Sequence, residues 1–352
     1  MSKSIVNTKP YPWTFDTGKA VAVNNKGKAR DVDVKIQNVR GRIPSFQASR
    51  LRSMMLEAHE DPNKILAHVV SYDALSSRLC EEAGFPMIFL AGYAMASAFG
   101  LPDTGYIAFQ EVAAKIQEVA RETTVPIMVD GDTGYGSPMN VRRTVSGFAH
   151  AGAAGIMIED QTWPKRCGHT YGKNVVSRDE AYARWQAAVD ARNEGVDIWI
   201  LARTDSLILG YEEAITRARK AIEIGVDAVF IEALPDRATM EKVRRELDFP
   251  SFANIIEGGK TENLSAKDLG EIGYSAVAYP WTLVAAKLKS IRETLENIKG
   301  SFTVGRPPVV LSYDEVCEGV GFNKYYETEK RYEYEGMLNG AKGYQWAQAN
   351  GH

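Results

Sequence analysis

Cysteine is scarce in this 352-residue chain: Cys80, Cys167 and Cys317 lie far apart, with no CxxC pair. That spacing argues against a disulfide framework or a structural zinc site and fits a reducing compartment. A dominant charge is missing too. The formal net charge is −3, which leaves no electrostatic footprint for nucleic acid. No apolar run approaches the roughly 18–20 residues that a membrane span needs. The polar stretch from Met1 to Lys19 holds no apolar core of signal-peptide length. A soluble cytosolic protein is expected, and the excess of Lys and Arg over Asp and Glu in residues 1–50 keeps a mitochondrial address open.

What is present is a rhythm. Short apolar runs alternate with amphipathic helical stretches, and eight candidate strands can be read: 67–70, 87–90, 127–129, 155–158, 198–201, 228–231, 251–254 and 276–279. Each run is continuous, as parallel strands buried on both faces are. The intervening helices often end in glycine, at Gly84, Gly152, Gly225 and Gly273. Eight βα units predict an α/β fold of the (β/α)8 TIM type. A doubly wound sheet is the runner-up, but it needs fewer repeats and a Gly-rich first turn. Residues 1–48 read as an irregular N-terminal arm, 49–300 as the barrel, beginning with a helix over 49–60, and 301–352 as a C-terminal helical extension.

The informative polar residues fall at the C-terminal ends of the candidate strands, where TIM-barrel sites are built. Asp130, Asp132 and Glu159 follow the third and fourth runs and are expected to converge. Such carboxylates would repel one another unless a cation intervened, and an all-oxygen set favours Mg²⁺, with Mn²⁺ possible, over zinc. Lys165-Arg166-Cys167-Gly168-His169 lies in the loop after the fourth run. Its cations are expected to depress the thiol pKa and make Cys167 a thiolate or a ready proton donor. Gly168 suggests a loop that can close over substrate. Arg203 ends a very apolar strand and needs an anionic partner, either a substrate carboxylate or Glu232. Gly92 and Tyr93 offer backbone N–H groups to an anion. His59, His68 and His150 read as structural, and Cys80 and Cys317 as packing residues.

These stretches resemble the isocitrate lyase/phosphoenolpyruvate mutase superfamily from about Ser49 to Gly300. The likeness is carried by Ser71–Ser76, Ala91-Gly92-Tyr93, Gly100–Asp103, Val129–Gly136, Ile158–Gln161, Lys165–His169, Ala202–Asp205 and Asn254–Gly259. The resemblance implies a barrel with a swapped eighth helix and a homotetramer built as a dimer of dimers. By position, Asp130 resembles the direct Mg²⁺ ligand, with Asp132 and Glu159 in its water shell. Gly92 and Tyr93 resemble donors to the keto-acid carboxylate, and Arg203 the arginine on the enolate oxygen. Asp103, Glu232 and Asn254 match further site residues. Cys167 matches the lyase cysteine, with Lys165, Arg166 and His169 as its loop partners.

The resemblance also narrows the reaction. Phosphonate-forming mutases lack the cysteine motif. Oxaloacetate hydrolases keep it but carry a Ser after strand eight, where this chain has Pro280 in Tyr279-Pro280-Trp281-Thr282. The 2-methylisocitrate lyases place an Arg a few residues on, where this chain reads Leu283-Val284-Ala285-Ala286. The expected activity is therefore Mg²⁺-dependent cleavage of a 2-hydroxy dicarboxylate of the 2-alkyl- or 2,3-dialkylmalate type. Its products would be an α-keto acid and a carboxylic acid, with oxaloacetate hydrolysis as the alternative.

Overall fold

The eight apolar runs form a ring of parallel strands. The structure, a computed structural model, describes residues 39–334 together with 20–23 and 29–32. Two short strands come first, β1 (Ala20–Val23) and β2 (Ala29–Val32), paired antiparallel with Ala20 opposite Val32. This corrects the reading of the N-terminal arm as wholly irregular. The pair satisfies its backbone groups locally, and the rest of residues 1–38 lies outside the described residues.

Helix α1 (Phe46–Glu60) starts three residues before the expected position because Ser45 caps it, its hydroxyl accepting from Ala48 N at 3.2 Å. The barrel then alternates as the rhythm predicts. Its first half runs β3 (Leu66–Ser71), α2 (Ala74–Glu82), β4 (Ile88–Leu90), α3 (Gly92–Ala98), α4 (Phe109–Ala120), β5 (Ile127–Asp130), α5 (Pro138–Ala151) and β6 (Gly155–Glu159). Its second half runs α6 (Arg178–Glu194), β7 (Trp199–Thr204), α7 (Tyr211–Ile224), β8 (Ala228–Ile231), α8 (Arg237–Glu246), β9 (Phe252–Asn254), α9 (Ala266–Ile272) and β10 (Ala276–Tyr279). The strands lie in the order β8-β7-β6-β5-β4-β3-β10-β9, and a parallel bridge between Val229 and Ser251 brings the two edges together. Gly84, Gly152, Gly225 and Gly273 all adopt positive φ after their helices.

Two apolar clusters divide the interior. One packs the outer strand faces against the helices, with Ile156, Val129 and Trp185 among its members. The other fills the barrel with Met128, Met157, Leu201, Phe230 and Phe252, and takes in Leu51 and Met55 from α1. Arg52 of α1 is held by Asp197 Oδ1 at 2.8 Å and Asp227 Oδ1 at 3.0 Å, just before β7 and β8. That buried pairing fixes α1 at the N-terminal ends of the strands. His68 lies in the barrel between the Phe89 and Phe252 rings, with centroids 5.9 and 5.4 Å away. It is structural, as expected. With the apolar layers filling the lower barrel, the polar ends of β4 to β10 are left to form a site at the C-terminal rim.

The chain divides by its contacts into two units, 1–287 and 288–352. The second begins inside α10 (Thr282–Ser301) and contains α11 (Tyr313–Val320) and α12 (Phe322–Glu329). Ser312 and Glu315 form a capping box on α11, and Gly321 (φ 93°) separates the two helices. Among the described residues no helix is long and apolar enough to cross a membrane.

Candidate active site at the strand ends

Six of the eight barrel strands contribute their last inward-pointing residue. Asp130 ends β5, Glu159 ends β6, Arg203 is the penultimate residue of β7, Glu232 follows β8, Asn254 ends β9 and Pro280 follows β10. All but Asn254, which is half-buried, are buried. Asp132 follows in the turn after β5 with φ 47°, an uncommon left-handed conformation for a residue with a side chain. Site residues are where such strain concentrates.

Lys165 decides the electrostatics. Its ammonium is buried and lies 2.5 Å from Asp103 Oδ1 and 2.7 Å from Asp132 Oδ1. Burial opposes its charge, but Asp132, Asp103, Asp130 and Glu159 outweigh that and hold its pKa well above the usual lysine value. Burial raises Asp132 to about 7, with Asp130 and Asp103 adding to the shift and Lys165 opposing it. Burial also drives Glu159 well above the carboxylate range, against Arg203 and Lys165. Neither Glu159 oxygen has a hydrogen-bond partner; Arg203 Nε, at 3.4 Å, makes only an ion pair. Asp130 is satisfied by backbone: Gly92 N donates to Oδ2 and Asp132 N to Oδ1, each at 3.0 Å.

Arg203 has more partners than the sequence suggested. Glu232 Oε2 is 3.2 Å from its Nη2, but Asp205 Oδ2 is closer, 2.9 Å from its Nε. Asp205 in turn accepts from Lys173 Nζ at 2.7 Å. Asp205 and Lys173 were missed as site residues. Asp205 stands inside the Ala202–Asp205 run, and an acid two residues after a buried Arg is the signal that could have found it. Lys173 gave none, because its role depends on the path of the loop.

The environment of Cys167 differs from the sequence expectation. Burial pushes its thiol up to about 11, with Asp103 and Glu232 adding to the shift; a hydrogen bond from the His169 backbone and the Arg203 charge oppose it. Lys165 faces the carboxylates and Arg166 is exposed, so neither loop cation makes a thiolate. The raised thiol favours the protonated form, which keeps the proton-donor half of the expectation and not the thiolate half. His169 Nε2 lies 3.2 Å from Glu232 Oε1. A side chain at Gly168 would overlap Glu232, so this glycine is what lets the loop reach the rim. Tyr93 shares burial and charge effects with Cys167 and Asp103. Its ring stacks on Trp281, centroids 5.2 Å apart at 17°. Nothing in the sequence around Trp281 points to this contact.

Two expectations are corrected. Gly92 N donates to Asp130, so it is not open to an anion in this arrangement. Asp130, Asp132 and Glu159 share a wall but do not meet: among the described residues no three His, Cys, Asp or Glu side chains converge to hold a metal ion. The Lys165 ammonium supplies a cation at Asp132 and Asp103 instead. The donor chemistry still fits a hard divalent ion, since both buried Glu159 oxygens lack a hydrogen-bond partner among the described residues.

Residues 56–299 match the family described as phosphoenolpyruvate phosphomutase. The chain belongs to the phosphoenolpyruvate mutase/isocitrate lyase superfamily. Within this superfamily it is similar to the probable 2-methylisocitrate lyase 2 of Corynebacterium glutamicum, 42% identical over 229 residues that cover 65% of this chain and 74% of that protein. Among solved structures it is similar to 2,3-dimethylmalate lyase, with TM-score 0.75 and 31% identity, covering 81% of this chain and 95% of that one. It is similar to the same degree to oxaloacetate acetylhydrolase in complex with 3,3-difluorooxalacetate, with TM-score 0.74 and 31% identity, covering 81% and 97%. The superfamily and the eight-stranded barrel are thus as the sequence implied, and relatives in it are named lyases. Likeness of fold does not separate lyase from hydrolase, so the side chains must.

Proposed function

We propose that this protein is a Mg²⁺-dependent carbon–carbon lyase that cleaves a 2-alkyl- or 2,3-dialkylmalate to an α-keto acid and a carboxylic acid. The observation that carries the reading is the half-buried Cys167 at the barrel rim, whose thiol is raised by burial and by the Asp103 and Glu232 charges against Arg203. A general acid must hold its proton until a carbanion forms, and a thiol raised to about 11 does so. When bound, the metal would supply Lewis acidity toward the substrate's carboxylate and 2-oxygen, and Asp130, Asp132 and Glu159, which stand apart here, would have to draw together to hold it.

The chain's own residues do the rest. A carboxylate of the cluster accepts the 2-hydroxyl proton, and the electron pair of that O–H bond becomes the new C=O. The C2–C3 bond breaks and its electrons stay on C3. Cys167 gives its proton to C3, and the thiolate is reprotonated after release. Arg203, fixed by Asp205, Glu232 and Glu159, stabilises negative charge developing on the 2-oxygen. The folded loop keeps water from the carbanion's surroundings.

Two side chains favour an alkylated malate. Pro280 has no hydroxyl to meet a hydrated keto group, which speaks against oxaloacetate hydrolysis. Trp281, stacked on Tyr93, adds an apolar wall, and no cation follows it through Ala286. That wall suits methyl substituents better than a third carboxylate. We extend the proposal to a cytosolic homotetramer with a swapped α10, supported by the exposed stripe Leu288, Ile291 and Leu295.

The test is a panel of 2-alkyl- and 2,3-dialkylmalates, 2-methylisocitrate and oxaloacetate, assayed with Mg²⁺ and with chelator for keto acid and oxalate. Keto acid from the alkylmalates, lost on chelation, is the expected result. Oxalate from oxaloacetate as the main product would replace the lyase reading with the hydrolase.

A further inference from the structure

The loop that carries Cys167 is clasped from outside by a segment that the cleavage chemistry does not use. Lys260, in the turn after β9, donates its backbone N–H to His169 Nδ1 at 3.2 Å. That bond requires a bare Nδ1 and so leaves the proton on Nε2, which faces Glu232 Oε1 at 3.2 Å. The His169 ring is thereby held at its Nδ1 edge, with Nε2 close to Glu232 but not hydrogen-bonded to it, and its side chain is only 4% exposed. His169 lies two residues from Cys167, and Thr170 N closes the turn between them by donating to the Cys167 carbonyl at 2.9 Å. The Lys260 side chain adds a second hold: its Nζ donates to Thr170 O at 3.3 Å and lies 5.5 Å from the Tyr171 ring centroid. Thr170 itself ties back to Cys167, its Oγ1 donating to the Cys167 carbonyl at 2.8 Å.

Gly259 makes this approach possible. A Cβ there would sit 2.9 Å from His169 Nδ1 and 2.9 Å from Ile256 O, closer than real Cβ atoms come. The turn also presents Lys260 to solvent, so its side chain is not needed to fill a core.

We propose that Gly259 and Lys260 are positioning residues for the cleavage: they latch His169, and His169 sets the Cys167 thiol over the site. The proposal rests on the lyase reading for what the thiol does, but the latch itself can be measured without substrate. The readout is the rate at which iodoacetamide alkylates Cys167 in the full-length protein, followed by mass spectrometry of its peptide.

Gly259→Ala should raise that rate about fivefold or more, roughly the effect on a closed-to-open ratio of losing one hydrogen bond. In the cleavage assay it should lower kcat more than it changes KM. Lys260→Ala keeps the backbone donor and loses only the side-chain hold, so it should shift both readouts the same way by less. Lys260→Arg should restore them. If Gly259→Ala does not fold, as judged by thermal unfolding, the Lys260 pair decides. Alkylation within twofold of the parent rate in the variants that fold would overturn the latch. Faster alkylation in a protein that cleaves no malate would leave the latch standing and remove the lyase reading instead.

Discussion

Lys165 Nζ and Asp132 Oδ1 lie 2.7 Å apart, with the side chains 3% and 7% exposed. The lysine is thus part of the acid cluster and not of the thiol's surroundings. Lys165→Met would strand Asp103 and Asp132 as buried charges. Breaking a buried pair from one side costs about 3–5 kcal/mol. Urea unfolding should show a loss of that order, and Lys165→Met/Asp132→Asn should recover part of it. A single variant as stable as the parent would contradict the assignment.

Asp205 links the loop to the rim, accepting from Lys173 Nζ on one side and from Arg203 Nε on the other. Asp205→Asn removes the charge both cations share while leaving Glu232 on Arg203. Misplacing a group by about 1 Å costs up to about 10²-fold in rate. Steady-state kinetics should show kcat lowered by 10- to 100-fold with a smaller change in KM, by that estimate. A pure KM effect would mean that Arg203 binds substrate without depending on Asp205.

Trp281 forms the apolar wall with Tyr93. Trp281→Ala should lower kcat/KM for a 2-alkylmalate relative to malate by roughly tenfold, the usual worth of a methyl-sized contact. Equal losses on both substrates would show that the ring only supports Tyr93.

His68 makes an acid-stability prediction. It is fully buried, which lowers its pKa from 6.5 to about 4, with only the Leu66 carbonyl opposing. Because the folded pKa is the lower one, the stabilisation is complete above about pH 6.5 and is lost as pH falls through about 4. The span corresponds to about 3 kcal/mol. Denaturation between pH 7.5 and 4.5 should show this slope, and His68→Gln should flatten it whatever its own cost at neutral pH. An unchanged slope would place the acid sensitivity elsewhere.

How far the sequence could be read follows from what each feature depends on. The strands were legible because both of their faces are buried, as Ile156 and Met157 on opposite faces of β6 show. The rim residues Asp130, Glu159, Arg203 and Glu232 were legible because a polar residue ending such a run has few structural alternatives. Loop side chains were not. Lys165 is two residues from Cys167 in sequence yet faces Asp103 and Asp132, and Lys173 finds Asp205 across 32 residues. The thiol's pKa departs from the sequence expectation for the same reason: Lys165 and Arg166 are its neighbours in sequence and not in space, and burial leaves no mark in a sequence. The β1–β2 pair escaped because one of its strands, Ala29–Val32, reads Ala-Arg-Asp-Val and is not a continuous apolar run.

The central claim is that Cys167 hands its proton to the departing carbon, and Cys167→Ser tests it most directly. Losing a general acid costs about 10²–10⁴-fold. With Mg²⁺ and the best alkylmalate of the panel, the variant should release keto acid slower by that factor in single turnover, while binding the keto-acid product with unchanged Kd. Full turnover by Cys167→Ser would contradict the account.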